Sequence, residues 1–234
     1  MIDHDEEVTL RLRAPVRISL PQGPPPPGGF PALVALHGHG ETPERLARHL
    51  RLPARTPYAR IHPGAPHPIL VGRGEQRRQG RSWYVYTGDA AAFAEELRRA
   101  ERLLLDGLEE ILASHPIRRD GLVLMGFSQG GYLAATTALR HRDLFRGLVA
   151  VSSRIKTEIL ESELAGAAGY PVLVVHGNAD DRVPPDPQRK EVERLLAAGL
   201  DVRTCFHPGG HHLGAEVGRA VHAFVTELLE GEAG

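Results

Sequence analysis

Six short apolar runs constrain this chain more than any other feature: ALVALHG, the weaker YARIHPG, GLVLMGF, GLVAVSS, PVLVVHG and DVRTCFH, all after Pro31. Near-continuous apolar strands separated by helical patterns mark a parallel sheet covered by helices on both faces. The expected class is therefore α/β, with a mostly parallel, doubly wound sheet. Between the runs, DAAAFAEELRRAERLLLDGLEEILASHP sets Phe93, Leu97, Leu104, Leu108 and Ile111 on one helical face, with Asp89 as cap and Pro116 as stop. VPPDPQRKEVERLLAAG predicts a second helix, with Asp186 at the N-cap, Pro187 in the first turn and Gly199 just past the end. EVGRAVHAFVTELLEG predicts a last helix that closes the sheet.

Before Pro31 the pattern differs. EVTLRLR alternates apolar and charged residues, PVRISL resumes after Pro15, and both suit antiparallel strands with one wet face. PQGPPPPGGFP then reads as a stiff surface connector rather than a polyproline recognition peptide. With 234 residues, 41% of them hydrophobic, no internal repeat and no long linker, one domain over residues 1–234 is expected.

Composition narrows the partners. A net charge of -1 gives no long-range field toward nucleic acid or anionic membrane, so neither is an expected partner. No run approaches the roughly 18 apolar residues of a membrane helix, and the acidic opening MIDHDEEVTL is unlike a signal peptide, so a soluble, cytoplasmic protein is expected. Cys205 is the single cysteine, so no intrachain disulfide forms.

The chemistry centres on GLVLMGFSQGGYLAATTALR. Gly126-Phe127-Ser128-Gln129-Gly130 falls where a strand ends and a helix begins, the context of a G-x-S-x-G nucleophile elbow. Side chains two positions either side of the serine would collide, hence glycine at 126 and 130. The helix that follows aims its positive end at the same place. A serine hydroxyl needs a base, and the base needs an orienting carboxylate, at later strand ends. HGNADDRVP supplies Asp180 or Asp181, and HPGGHH supplies His211 or His212, in the chain order of the α/β-hydrolases. An oxyanion needs two backbone N–H donors. Gln129 is placed to supply one and His39, between Gly38 and Gly40 in LHGHGET, the other, each worth roughly 3 kcal/mol in the barrier.

With LHGHG, the RSWYVY aromatic cluster, GFSQGG, HGNADDRVP and HPGGHH in place, the chain from about Ala32 onward resembles the phospholipase/carboxylesterase family of α/β-hydrolases, which includes bacterial carboxylesterases and acyl-protein thioesterases. The resemblance implies Asp180 as the acid, with Asp181 a surface residue beside Arg182, and His211 rather than His212 as the base. It also places Glu41 where the family often has an acid. The segment His62 to Gly80 matches poorly and is expected to help shape the substrate entrance.

Rival readings exist for conspicuous residues. His37, His39, His207, His211 and His212 invite a metal, but no metal-ligand spacing accompanies them, and neither metal nor cofactor is expected. His37 and His176 are expected to be hydrogen-bonded supports. Arg73, Arg77, Arg78 and Arg81 read as a solvated loop in preference to a basic rim for anionic substrates, with Trp83 a candidate pocket wall.

The function expected is a carboxylesterase working through an acyl-enzyme on a small-molecule ester. An acyl-protein thioesterase or lysophospholipase is the alternative within catalysis, and a noncatalytic binding protein of the same fold is the alternative outside it. A homo-oligomer is left open by the sequence. RIKTEILESELAGAAGY, between two apolar runs, is too short for a large lid domain, so an open site is expected.

Overall fold

The computed structural model describes residues 12–86 and 88–230. In chain order its elements are β1 (Val16–Ser19), β2 (Phe30–Leu36), α1 (Pro43–His49), β3 (Ala59–Pro63), β4 (His67–Val71), β5 (Arg78–Ser82), α2 (Ala90–Ser114), β6 (Ile117–Phe127), α3 (Gln129–Arg140), β7 (Phe145–Val151), α4 (Glu161–Leu164), β8 (Pro171–Gly177), α5 (Pro185–Ala197), β9 (Asp201–His207) and α6 (Ala215–Glu230). The strand expected in EVTLRLR lies mostly outside the described residues.

All six apolar runs become strands of one seven-stranded sheet, ordered β1-β3-β2-β6-β7-β8-β9. β1 alone runs antiparallel, against β3. Because these strands are buried on both faces, side chains from alternate positions feed two cores. Val34, Leu122, Leu124 and Leu148 face α2 and α3, while Leu33, Val123, Met125 and Val149 face α1 and α6. Each such fully buried side chain contributes roughly 1.5–3 kcal/mol relative to exposure. This is the α/β-hydrolase arrangement, and no large lid interrupts it. The stretch between β7 and β8 holds only a short 3₁₀ turn at Thr157–Ile159 and the four residues of α4.

Helix ends follow local chemistry. Asp89 caps α2 by accepting the Ala92 N–H at 2.7 Å, and His115 is extended because Pro116 follows it. Phe93, Leu97, Leu104 and Leu108 are buried, with Ile111 packed at the margin. α5 departs from expectation at its start. Its N-cap is Pro184, without a side-chain cap, and Asp186 lies inside the first turn. Pro185 sets the helical φ at the first position and forbids a helical Pro184, so the consecutive prolines begin the helix earlier than Asp186 would. At the other end Gly199, at φ +83°, lets the Leu200 N–H reach the Leu195 carbonyl at 3.1 Å and its own N–H reach that of Leu196 at 2.9 Å, a Schellman cap.

The poorly matching segment after His62 forms an unforeseen antiparallel ribbon of β4 and β5. RQGRS carries no strand-like apolar pattern, and tertiary contacts hold it. The Arg81 Nε donates to the Ala65 carbonyl, Arg78 donates to the Gly40 carbonyl at 2.5 Å, and Glu41 bridges to Arg81. Gly80 is needed there because a Cβ would lie 2.3 Å from the Gly40 oxygen. Two of the four arginines read as a solvated loop are thus structural ties, while Arg73 and Arg77 are exposed.

Candidate active site

The sheet order changes direction between β2 and β6. From β2 the chain builds outward to β3, then returns to β6 and builds the other way. Loops leaving the C-terminal ends of such a pair diverge and leave a crevice. Leu36 pairs with Gly126, so the loop after β2 and the turn after β6 emerge side by side.

Ser128 occupies that turn at φ 52° and ψ -119°. Such a conformation costs a non-glycine residue about 1–3 kcal/mol and persists only where its surroundings impose it. Here the Ser128 N–H donates to the Val151 carbonyl at 3.0 Å and its carbonyl accepts from the Gly131 N–H at 2.8 Å. The flanking glycines are required sterically: a Cβ on Gly126 would lie 2.1 Å from the Gly130 oxygen, and one on Gly130 would lie 2.6 Å from the Leu36 and His37 oxygens.

The later strand ends meet this turn. His211 Nε2 lies 3.0 Å from Ser128 Oγ. Its Nδ1 lies 2.8 Å from Asp180 Oδ2 and 3.0 Å from Oδ1. With Nδ1 donating to the carboxylate, Nε2 is the lone pair facing the serine hydroxyl. Asp180 is 4% exposed and accepts the Arg182 and Val183 N–H groups at 3.0 and 2.9 Å. Burial pushes its carboxyl pKa up, but the Val183 N–H, the His211 ring and the Arg182 N–H outweigh this and hold it below its ordinary value. It is a carboxylate at neutral pH. The rival positions do not converge: Asp181 and His212 are exposed, and the His212 ring lies against His207, centroids 5.8 Å apart.

The loop after β2 presses on the elbow, since a Cβ on Gly38 would lie 3.3 Å from Ser128 Cβ. Among the described residues neither the His39 nor the Gln129 N–H has a protein acceptor. Gln129 is also the first residue of α3, where a helical N–H has no partner within the helix. Neither N–H is thus taken up by another group of the protein among the described residues.

Two supporting groups escaped the sequence reading. The Gln129 side chain accepts the Trp83 N–H at 3.0 Å and donates to Ser82 Oγ and the Tyr84 carbonyl, each at 2.9 Å. Ser82 Oγ also contacts His39 Nδ1 at 3.2 Å. The elbow, the segment after β5 and the loop after β2 are therefore one hydrogen-bonded unit. Only the glutamine's place in GFSQG hinted at this. Trp83 is 2% exposed, and its Nε1 donates to the His37 carbonyl at 2.8 Å. It anchors the segment from within, and Tyr86 is the exposed ring of the cluster.

His37 and His176 act as supports. The His176 Nε2–H donates to the Val183 carbonyl at 2.8 Å, steadying the residue whose N–H binds Asp180. His37 Nδ1–H donates to the Gly38 carbonyl at 2.8 Å and Nε2 accepts from Ala65 N–H at 3.0 Å. Burial is the main reason its pKa falls to about 4. The unfolded chain therefore takes up this proton first as pH falls. The associated stability, about 3 kcal/mol, is complete above the ordinary value near 6.5 and is lost progressively toward pH 4. Urea unfolding between pH 7 and 4.5 should show the decline, to which His62 adds a similar share, and His37→Gln should make it shallower. An equally steep profile in the variant would mean that His37 does not contribute.

Comparison with known proteins places the chain in a family. Residues 30–229 match the Phospholipase/Carboxylesterase family. Acyl-protein thioesterase 1 of Neurospora crassa is 27% identical over 207 residues, 82% of each chain. NocK of Nocardia uniformis subsp. tsuyamanensis is 28% identical over 76% of this chain, which spans only 48% of NocK. The crystal structure of esterase PE8 superposes with a TM-score of 0.73 at 25% identity, covering 94% of this chain and all of PE8. Fold and site define an α/β-hydrolase. Within that class, the chain belongs to the phospholipase/carboxylesterase family, whose members are ester-hydrolysing enzymes of the carboxylesterase and acyl-protein thioesterase type.

Proposed function

We infer that this protein is a serine carboxylesterase acting on small esters through an acyl-enzyme. The observation that carries the reading is the continuous chain of hydrogen bonds from Ser128 Oγ through the His211 ring to Asp180. His211 Nε2 takes the hydroxyl proton as Oγ attacks the acyl carbonyl carbon. The N–H groups of His39 and Gln129 hold the oxyanion, and Asp180 stabilises the imidazolium that forms. The tetrahedral intermediate collapses, and His211 returns the proton to the departing alkoxide. Water, deprotonated by the same nitrogen, then attacks the acyl carbonyl, and collapse of the second intermediate frees the acid and restores Ser128.

The short connection between β7 and β8 supports an open site and hence short, soluble esters. Similarity to acyl-protein thioesterase 1 favours thioesters as the second reading. A fluorophosphonate probe should label Ser128 alone. With p-nitrophenyl esters, kcat/KM should level off or fall beyond about eight acyl carbons. Labelling at another residue would overturn the mechanism, and a steep rise with longer chains would overturn the substrate class.

A further inference from the structure

Away from Ser128, between the sheet edge and α1, lies a cavity of about 250 Å³. Arg17 and Ser19 of β1, Arg60 and His62 of β3, and Glu44 and Arg48 of α1 line it. The antiparallel register sets Arg17 opposite His62 and Ser19 opposite Arg60. Residues two apart on a strand share a face, so all four side chains project toward α1.

This lining is unbalanced. Three guanidinium groups face one carboxylate. Among the described residues, the Arg17 and Arg48 side chains form no salt bridge or hydrogen bond, and the Arg60 side chain donates only to the Pro53 carbonyl, at 3.2 Å. Like charges gathered on paired strands repel, which costs free energy unless an anion offsets it. His62 lies at the base of the cluster, 2% exposed. The Arg17 backbone lies close enough to favour the protonated ring, but neither ring nitrogen makes a hydrogen bond of good geometry among the described residues. A buried N–H without an acceptor is destabilising. Burial, reinforced by Arg60, lowers the His62 pKa to about 4, so the ring is neutral near pH 7 and carries one N–H to donate. The triad uses none of these groups.

We propose that this cavity binds a small phosphate-type oxyanion, free or as the headgroup of a phosphomonoester, held by Arg17, Arg48 and Arg60 above the buried His62 ring. Guanidinium forks match the paired oxygens of phosphate. The volume falls below the roughly 300 Å³ at which pockets for drug-sized ligands begin, so it suits a headgroup and not a whole metabolite. Glu44 on the rim limits how much negative charge the site accepts.

The test is calorimetric titration of the full chain at constant ionic strength, balanced with sodium chloride. One arm uses inorganic phosphate and a second glycerol 3-phosphate. A third measures cosedimentation with phosphatidylcholine vesicles with and without phosphatidic acid. Saturable binding in at least one arm is expected, and the arm that responds identifies the source of the phosphate. The double variant Arg17→Gln, Arg48→Gln, altered only at exposed side chains, should bind roughly tenfold more weakly or worse, with an unchanged circular dichroism spectrum. Absence of saturable binding in every arm, or equal binding by the double variant, would overturn the proposal.

Discussion

Ser128→Ala is expected to lower kcat for an activated short-chain ester by roughly three to six orders of magnitude, with a much smaller change in KM. The hydroxyl contributes little to ground-state binding, whereas the acyl-enzyme route disappears without it. On the proposed mechanism, residual turnover would come from the N–H groups of His39 and Gln129, which would still stabilise an oxyanion when water attacks directly. Asp180→Asn should cost about four orders, since an amide favours the wrong tautomer of His211 while keeping the shape of the site. Steady-state kinetics with thermal unfolding of each variant decides the matter. A kcat within tenfold of the parent in Ser128→Ala would remove Ser128 from the mechanism.

The second large effect is on folding. Gly126→Ala places a methyl group 2.1 Å from the Gly130 oxygen and 2.5 Å from the Gly131 nitrogen, both backbone atoms that cannot rotate away. Relief requires the elbow to open, which breaks its contacts with β2 and β7. A loss of about 3 kcal/mol or more is expected, with activity falling in parallel. Gly107→Ala is the control: it is an exposed position inside α2, with nothing within 4 Å of the added carbon. There alanine should stabilise by about 0.5–1 kcal/mol through helix propensity. Equal unfolding midpoints for the two variants in urea would refute the steric account of the elbow.

How much of this was legible depended on the range of the interactions. The α2 helix could be read with its cap and stop because Asp89, its apolar face and Pro116 each act within a few residues. The start of α5 was misplaced because two prolines outcompeted a good capping residue. The β4–β5 ribbon escaped notice altogether. Its strands are specified by Arg78, Arg81 and Gly80 meeting Gly40, Glu41 and Ala65, partners remote in sequence. Gln129 was read for its backbone, while its side-chain ties to Ser82, Trp83 and Tyr84 required the fold.

Some features were already determined by the amino-acid sequence: the alternation of buried strands and amphipathic helices, the glycines around Ser128, and the order of serine, acid and histidine along the chain. These rest on side-chain periodicity and turn sterics, which act between near neighbours. Side-chain pattern by itself left Asp180 or Asp181 and His211 or His212 open, family resemblance favoured the first of each, and the tertiary structure shows Asp180 turned inward, His211 reaching Ser128 and three arginines gathered around the cavity that His62 lines. Those outcomes depend on which strands lie side by side and which face each residue presents, relations that hold between segments far apart and are settled only when the sheet assembles.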